Sequence, residues 1–277
     1  YTVGGVSFTM KKIAAVTNGS IGHNDRQNNK PHTVSLSAYF IGETEVTQEL
    51  WQAVMGNNPS EFQGAGKEPA SGETQGNRPV EKVNWYHAIA FCNKLSLKLG
   101  LTPCYTVTVG GNPIDFSTLA YNAIPAIDNA DWNNTAFDGS KNGFRLPTEA
   151  EWEFAARGGN AKSPVWKYAF SGAQCTPLDP THFQAREADA NLDLYGWDKD
   201  NSGGKTYAVG TKKPNSLGLY DMSGNVQEWC FDWAAALNID GTTIEEDPHG
   251  GPRPAVEEPA RITRGGSYYE VAYDCAV

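Results

Sequence analysis

The chain has 277 residues, 39% of them hydrophobic and 11% aromatic, with a formal net charge of −10 and a mean hydropathy of −0.50. An acidic surface repels phosphate backbones, which argues against general nucleic-acid binding, and no apolar run approaches the ~20 residues of a membrane helix. The length allows one large domain or two small ones; with 29 Gly and 16 Pro, much of the backbone is expected in turns and loops.

Three helices are predicted in chain order. The first runs from Thr47 to Met55, with Thr47 as its cap, Leu50, Trp51 and Val54 as an apolar stripe, and Gly56–Asn57 as its stop. The second begins at Asn84 and ends at Gly100; Trp85, Ala88, Cys92, Leu95 and Leu99 give it one buried face. The third lies in RLPTEAEWEFAARGG, where Thr148 and Glu151 form a capping box and Gly158–Gly159 end the helix. Its carboxylates Glu149, Glu151 and Glu153 suit the positive end of the helix dipole and read as structural. Two long irregular tracts, 110–143 and 164–211, read as functional loops or loops pinned by ions. A late strand is expected over Arg261–Tyr269, with Gly265–Gly266 marking a bulge or a close backbone approach. The acidic tract IEEDPHGGPRPAVEEP lacks periodicity and reads as an exposed loop. The fold class expected is α+β, with short antiparallel strands, few helices and extensive ordered loops.

The chain offers little conventional chemistry. Its cysteines, Cys92, Cys104, Cys175, Cys230 and Cys275, include no CxxC pair and leave the redox compartment open. The histidines share no ligand-like spacing, and no GxSxG, P-loop or HExxH motif is present. No signal peptide is visible at Tyr1, so the chain reads as a processed or trimmed fragment.

Four segments together carry more information: FIGETEVTQELWQAVMG, GFRLPTEAEWEFAARGG, NSLGLYDMSGNVQEWCFDW and RITRGGSYY. Their combination resembles the formylglycine-generating enzyme, or sulfatase-modifying factor, family from about Gly4 to Cys275. The resemblance implies a variant of the C-type lectin fold and a single domain over 1–277. Active members of that family carry two cysteines after GGS that bind copper and oxidise a substrate cysteine. Aligned on GGS, those positions here are Glu270 and Cys275. A carboxylate is a hard oxygen donor and cannot replace a thiolate that holds Cu(I), so no copper and no enzymatic activity are expected. Cys275 reads as a small buried residue.

The chain then resembles a second branch of that family, the variable proteins of diversity-generating retroelements, whose varied positions cluster near the C-terminus and arise by changing adenines. Tyr, Val and Asp are each reachable from an Asn codon in this way, whereas Glu270 needs another starting codon. The expected ligand-binding residues are Tyr268, Tyr269, Glu270, Val271, Tyr273 and Asp274. Tyrosine gives rigid, amphipathic contact area, which suits recognition. The partner implied is an unknown protein or other surface ligand. The location implied is the bacterial cell surface or exterior, with a lipid anchor on a segment outside this chain. Family members continue past the second cysteine position, so the end at Val277 suggests truncation. Alternatives are a copper oxidoreductase using Cys275 and a structural surface lipoprotein.

The resemblance also implies structural Ca²⁺ held by Asp221, Gly224, Val226 and Glu228, oxygen ligands of the kind this ion takes. A second site would begin at Asn191 and Leu192, with Asp198 or Asp200 in place of a carboxylate that does not align.

Overall fold

The computed structural model describes residues 1–22, 30–163, 166, 168–172, 192–234, 244–248, 253–254 and 259–277. The three expected helices form where local chemistry starts and stops them. Helix α1 spans Gln48–Met55; the Thr47 side chain accepts a bond from the Leu50 N–H, and Gly56 closes it at φ 82°. Helix α2 spans Trp85–Lys98 and is capped by Asn84, whose side chain accepts from His87 N. It is buried on most sides, not on one stripe: Tyr86, His87, Ile89, Ala90, Phe91, Asn93 and Ser96 are also covered, while Leu99 is only partly so. It runs through the core, so a two-sided environment replaces the amphipathic one its spacing suggests.

Between these helices and the next lie four short strands: β7 (Tyr105–Thr106), β8 (Thr108–Val109), β9 (Asn112–Pro113) and β10 (Ala136–Phe137). With them is a one-turn helix, α3, at Ala130–Asn133. The tract 110–143 is mostly irregular, as expected, and is punctuated by β9, α3, β10 and a 3₁₀ turn at Tyr121–Ala123, whereas much of 164–211 lies outside the described residues. Helix α4 spans Glu149–Ala156 with the Thr148–Glu151 capping box formed in both directions, and Gly158 and Gly159 follow it at positive φ.

Among the described residues six strands precede α1: β1 (Thr2–Val3), β2 (Val6–Ser7), β3 (Met10–Ile13), β4 (Val16–Ile21), β5 (His32–Leu36) and β6 (Tyr39–Gly42). Strands β3 and β6 pair antiparallel, as do β4 and β5. The acidic tract departs from expectation. Its start, β12 (Ile244–Glu246), pairs parallel with β5, and Asp247 takes bonds from the N–H and hydroxyl of Ser37. A parallel partner more than 200 residues away leaves no local trace in sequence. The late strand is also shorter than expected. β13 is Arg261–Arg264, paired antiparallel with β11 (Glu228–Trp233), and it stops at Gly265–Gly266.

Among the described residues three apolar clusters hold these pieces. The first joins α1, α2 and the β7–β10 region, with Trp51 stacked on Phe91 at 4.9 Å. The second packs α4 against β3–β6 and buries Trp152 and Phe154. The third gathers Ala169, Phe170, Leu192, Ala272, Cys275 and Ala276, and fixes the last turn of the chain. Arg261 lies between the rings of Trp85 and Trp233, 3.7 Å from each centroid, and so anchors β13. Among the described residues no helix is long and apolar enough to cross a membrane.

Candidate functional site

Where β13 ends, the chain turns sharply. At Gly266 (φ 69°) a Cβ would lie 2.7 Å from the Asp274 carbonyl and the Cys275 sulfur, so only glycine lets the two strands of the turn approach. Residues 268–274 follow, and neighbouring loops grip their backbone. Tyr268 N donates to the Asn225 carbonyl at 2.8 Å, and the Ser202 hydroxyl donates to the Tyr268 carbonyl at 2.7 Å. Lys199 N donates to the Glu270 carbonyl at 2.9 Å. Val277 N reaches the Ala169 carbonyl at 2.9 Å.

The side chains of the turn divide. Tyr269 is 72% exposed and Val271 41%, and Asp274 also faces solvent. Tyr268 and Tyr273 are half-buried; the Tyr268 ring meets Phe62 edge-on at 5.0 Å and Tyr269 at 6.3 Å. Burial, then the charges of Glu61 and Glu81, raises the Tyr268 hydroxyl above the ordinary tyrosine range. The Gln227 amide donates to Glu270 Oε1 at 2.7 Å, whereas Glu270 Oε2 is shielded and lacks a hydrogen-bond partner. Cys275 is fully buried; its thiol donates to the Ser267 carbonyl and is pushed up to about 12 by burial and by Asp198, Glu270 and Asp274. Such a thiol is not a ready thiolate. Cys92, Cys104 and Cys230 are free and buried as well, and Cys175 lies outside the described residues.

The proposed ion loop lies directly beneath this turn. Asp221 and Asn225 adopt left-handed backbone conformations, and Gly224 is so close to Trp197 that a Cβ there would sit 2.1 Å from its carbonyl oxygen. Asp221 accepts from Gly210 N through Oδ2, while its buried Oδ1 has no partner. Burial lifts the Asp221 carboxyl to about 6, and burial together with the charge of Asp221 lifts Glu228 to about 7. Glu45 comes from the segment before α1 and accepts from Val226 N and the Asn225 amide. It is raised well above its usual range by burial and by Asp221 and Glu228. Among the described residues no three His, Cys, Asp or Glu side chains converge as a ligand set, so an ion here would need backbone oxygens as well.

The second suggested ion site is put together differently. Asn191 lies outside the described residues and Leu192 is packed in the core. Asp198 spends Oδ1 on the N–H groups of Asp200 and Asn201, as the cap of a turn, and Asp200 points to solvent. The nearby Asp193 carbonyl accepts from the Lys212 ammonium, which already places a positive charge there.

Sequence reasoning missed Glu45, Phe62, Ser202, Asn225 and Gln227. Asn225 and Gln227 sit inside a motif that drew attention for other residues. Glu45 is separated from its partners by 180 and 181 positions, a distance at which pattern is silent.

Against known families, residues 4–277 match the sulfatase-modifying factor enzyme 1-like domain. The chain belongs to this family. Treponema denticola variable protein 1 has the same fold, at a TM-score of 0.87 and 55% identity, over 100% of this chain and 89% of that one. The fold is accordingly the C-type lectin-like arrangement expected of the family. A chaperone protein LppX from Paenibacillus barcinonensis is 40% identical over 202 residues, 72% of this chain and 64% of that protein. A formylglycine-generating enzyme from Streptomyces coelicolor is 38% identical over 141 residues, 50% of this chain and 40% of the enzyme. The chain thus spans less than two thirds of the curated relatives it matches.

Proposed function

We propose that this chain is a non-catalytic ligand-binding member of its family, a variable protein of the retroelement kind, which recognises its ligand through Tyr268, Tyr269, Glu270, Val271, Tyr273 and Asp274. One observation carries this reading: the turn is held through its backbone. The bonds from Asn225, Ser202 and Lys199 engage main-chain atoms of residues 268 and 270. A grip of that kind is indifferent to the side chains it presents, so those side chains can change without unfolding the turn. The similarity to Treponema denticola variable protein 1 supports the same reading. Copper oxidation fits less well, because Glu270 supplies oxygen where a thiolate is needed and the Cys275 thiol is buried with a raised pKa.

The Ca²⁺ reading rests on donor chemistry. Asp221 Oδ1 and the Glu228 carboxylate, with the carbonyls of Gly224 and Val226, would hold the ion; the buried, unpartnered Asp221 oxygen fits that role. Bound there, the ion would neutralise the carboxylates and fix the loop that carries Asn225. Display at a cell surface by an anchor outside this chain completes the proposal.

Sequencing sibling copies of the locus tests it. Siblings should differ at 268, 269, 271, 273 and 274 while keeping Ser202, Asn225 and Gly266. Siblings identical across the turn would overturn it.

A further inference from the structure

We propose that Gln227 and Glu270 form a side-chain latch that positions the C-terminal turn, so that Glu270 serves recognition by fixing how Tyr269 and Val271 are presented and not by touching the ligand. This rests on the binding reading above and gives Glu270 a different part within it.

Glu270 is held at its backbone and at its side chain. Its N–H donates to the Ser267 carbonyl at 3.1 Å, and its carbonyl accepts from Lys199 N at 2.9 Å. The carboxylate is turned out of solvent: Oε1 accepts from the Gln227 amide at 2.7 Å, and Oε2 is covered. Lys199 is exposed on the same face, but among the described residues it makes no ion pair with Glu270, which leaves the Gln227 amide as the group that fixes this carboxylate. A carboxylate with one oxygen engaged and the other covered has little left to offer a ligand. The residues on either side do the opposite, since Tyr269 is mostly uncovered and Val271 is exposed beside it.

The donor belongs to the scaffold and not to the turn. On one side of Gln227, Val226 N donates to Glu45 Oε1 at 2.9 Å; on the other, Glu228 opens β11 in register with Arg264. The bonds from Asn225, Ser202 and Lys199 locate the turn through its main chain. The latch adds an attachment through a side chain, at the residue that separates the two exposed ones. A tip ordered before binding lowers the entropic cost of recognition. Because Gln227 itself is exposed, losing the bond should loosen the tip locally with little effect on the whole fold.

The test uses dodecapeptides panned from a phage-displayed random library on the whole chain, keeping those whose capture is lost on Tyr269→Ala, a variant first confirmed as folded by circular dichroism. Gln227→Glu sets two carboxylates face to face and breaks the latch. Amide exchange at the Glu270 N–H should then quicken roughly fivefold or more, and affinity for those peptides should fall by a similar factor, while the urea midpoint stays that of the parent. Adding Glu270→Gln restores the bond with donor and acceptor exchanged, and both measurements should return to within about twofold of the parent. The inference is overturned, with the binding surface left standing, if Gln227→Glu moves neither measurement or if the second substitution lowers affinity further, as loss of a direct contact would. A matching fall in the urea midpoint would make the bond part of the general scaffold and overturn it as well. If no captured peptide depends on Tyr269, the binding surface itself fails and the inference with it.

Discussion

Two groups of buried carboxylates lie close together in this molecule and are treated in opposite ways. On α4, Glu151 and Glu153 meet cations and N–H donors. Both Glu151 oxygens accept from Arg145 at 2.6 Å, and Glu153 accepts from Arg157, Arg264 and Gly22 N. In the loop under the C-terminal turn, Glu45, Asp221 and Glu228 are instead raised chiefly by burial, with Asp221 adding to Glu228 and both adding to Glu45, and among the described residues none of the three has an ion pair. Matched acids lock a scaffold. Unmatched buried acids favour their protonated forms, and here they support the loop that carries Asn225.

The largest effect should come from breaking the matched group. Arg157→Ala leaves Glu153 with a partly uncompensated buried charge and should cost about 3–5 kcal/mol in urea unfolding. A much smaller loss would mean that Arg264 alone suffices and that the two groups differ less than their geometry suggests.

The unmatched group should respond to pH. The folded-state values of about 7 for Glu228 and about 6 for Asp221 lie above those of the unfolded chain, so the native state takes up protons on acidification. Stability should therefore rise as pH falls from 8 towards 5, and Glu228→Gln should remove part of that rise. Glu149, at about 7, and Asp232, at about 6, contribute in the same sense and survive that substitution. Saturating Ca²⁺ at pH 8 should raise stability by about 2–3 kcal/mol if the loop binds it at a hundred times Kd. Calorimetry with no Ca²⁺ effect would leave protons as the sole occupants of the loop.

Smaller again is Asn225→Ala, which removes the amide donor to Glu45 and the acceptor of Tyr207 N. A loss of about 1–3 kcal/mol is expected from thermal melts. The smallest effect should be that of Tyr269→Ala, at most about 0.5 kcal/mol, because the ring is exposed. A larger loss would make the ring part of the scaffold instead of the presented surface.

The features legible in sequence were those decided within a few residues. Thr47, Asn84 and Thr148 start helices and glycines stop them because capping is local chemistry. The Gly265–Gly266 pair announced a close approach, but not that the strand would end there, since Asp274 and Cys275 supply the obstacle from the far side of the turn. The burial of α2 on several sides and the pairing of β12 with β5 depend on partners remote in sequence. At the site, family motifs led to the exposed turn and the ion loop. The grip on that turn comes from Ser202 and Lys199, which belong to no motif singled out beforehand.

Asn225 has one more consequence, in the order of folding. It receives Tyr207 N, donates to Glu45 and accepts from Tyr268 N, thereby joining chain segments separated by as many as 180 positions. Such non-local closure is slow, because the entropy of bringing distant segments together is lost before their bonds form. The order of the C-terminal turn is therefore coupled, through the Asn225 carbonyl, to the assembly of the central loops, and a variant that loosens those loops should loosen the presented surface with them.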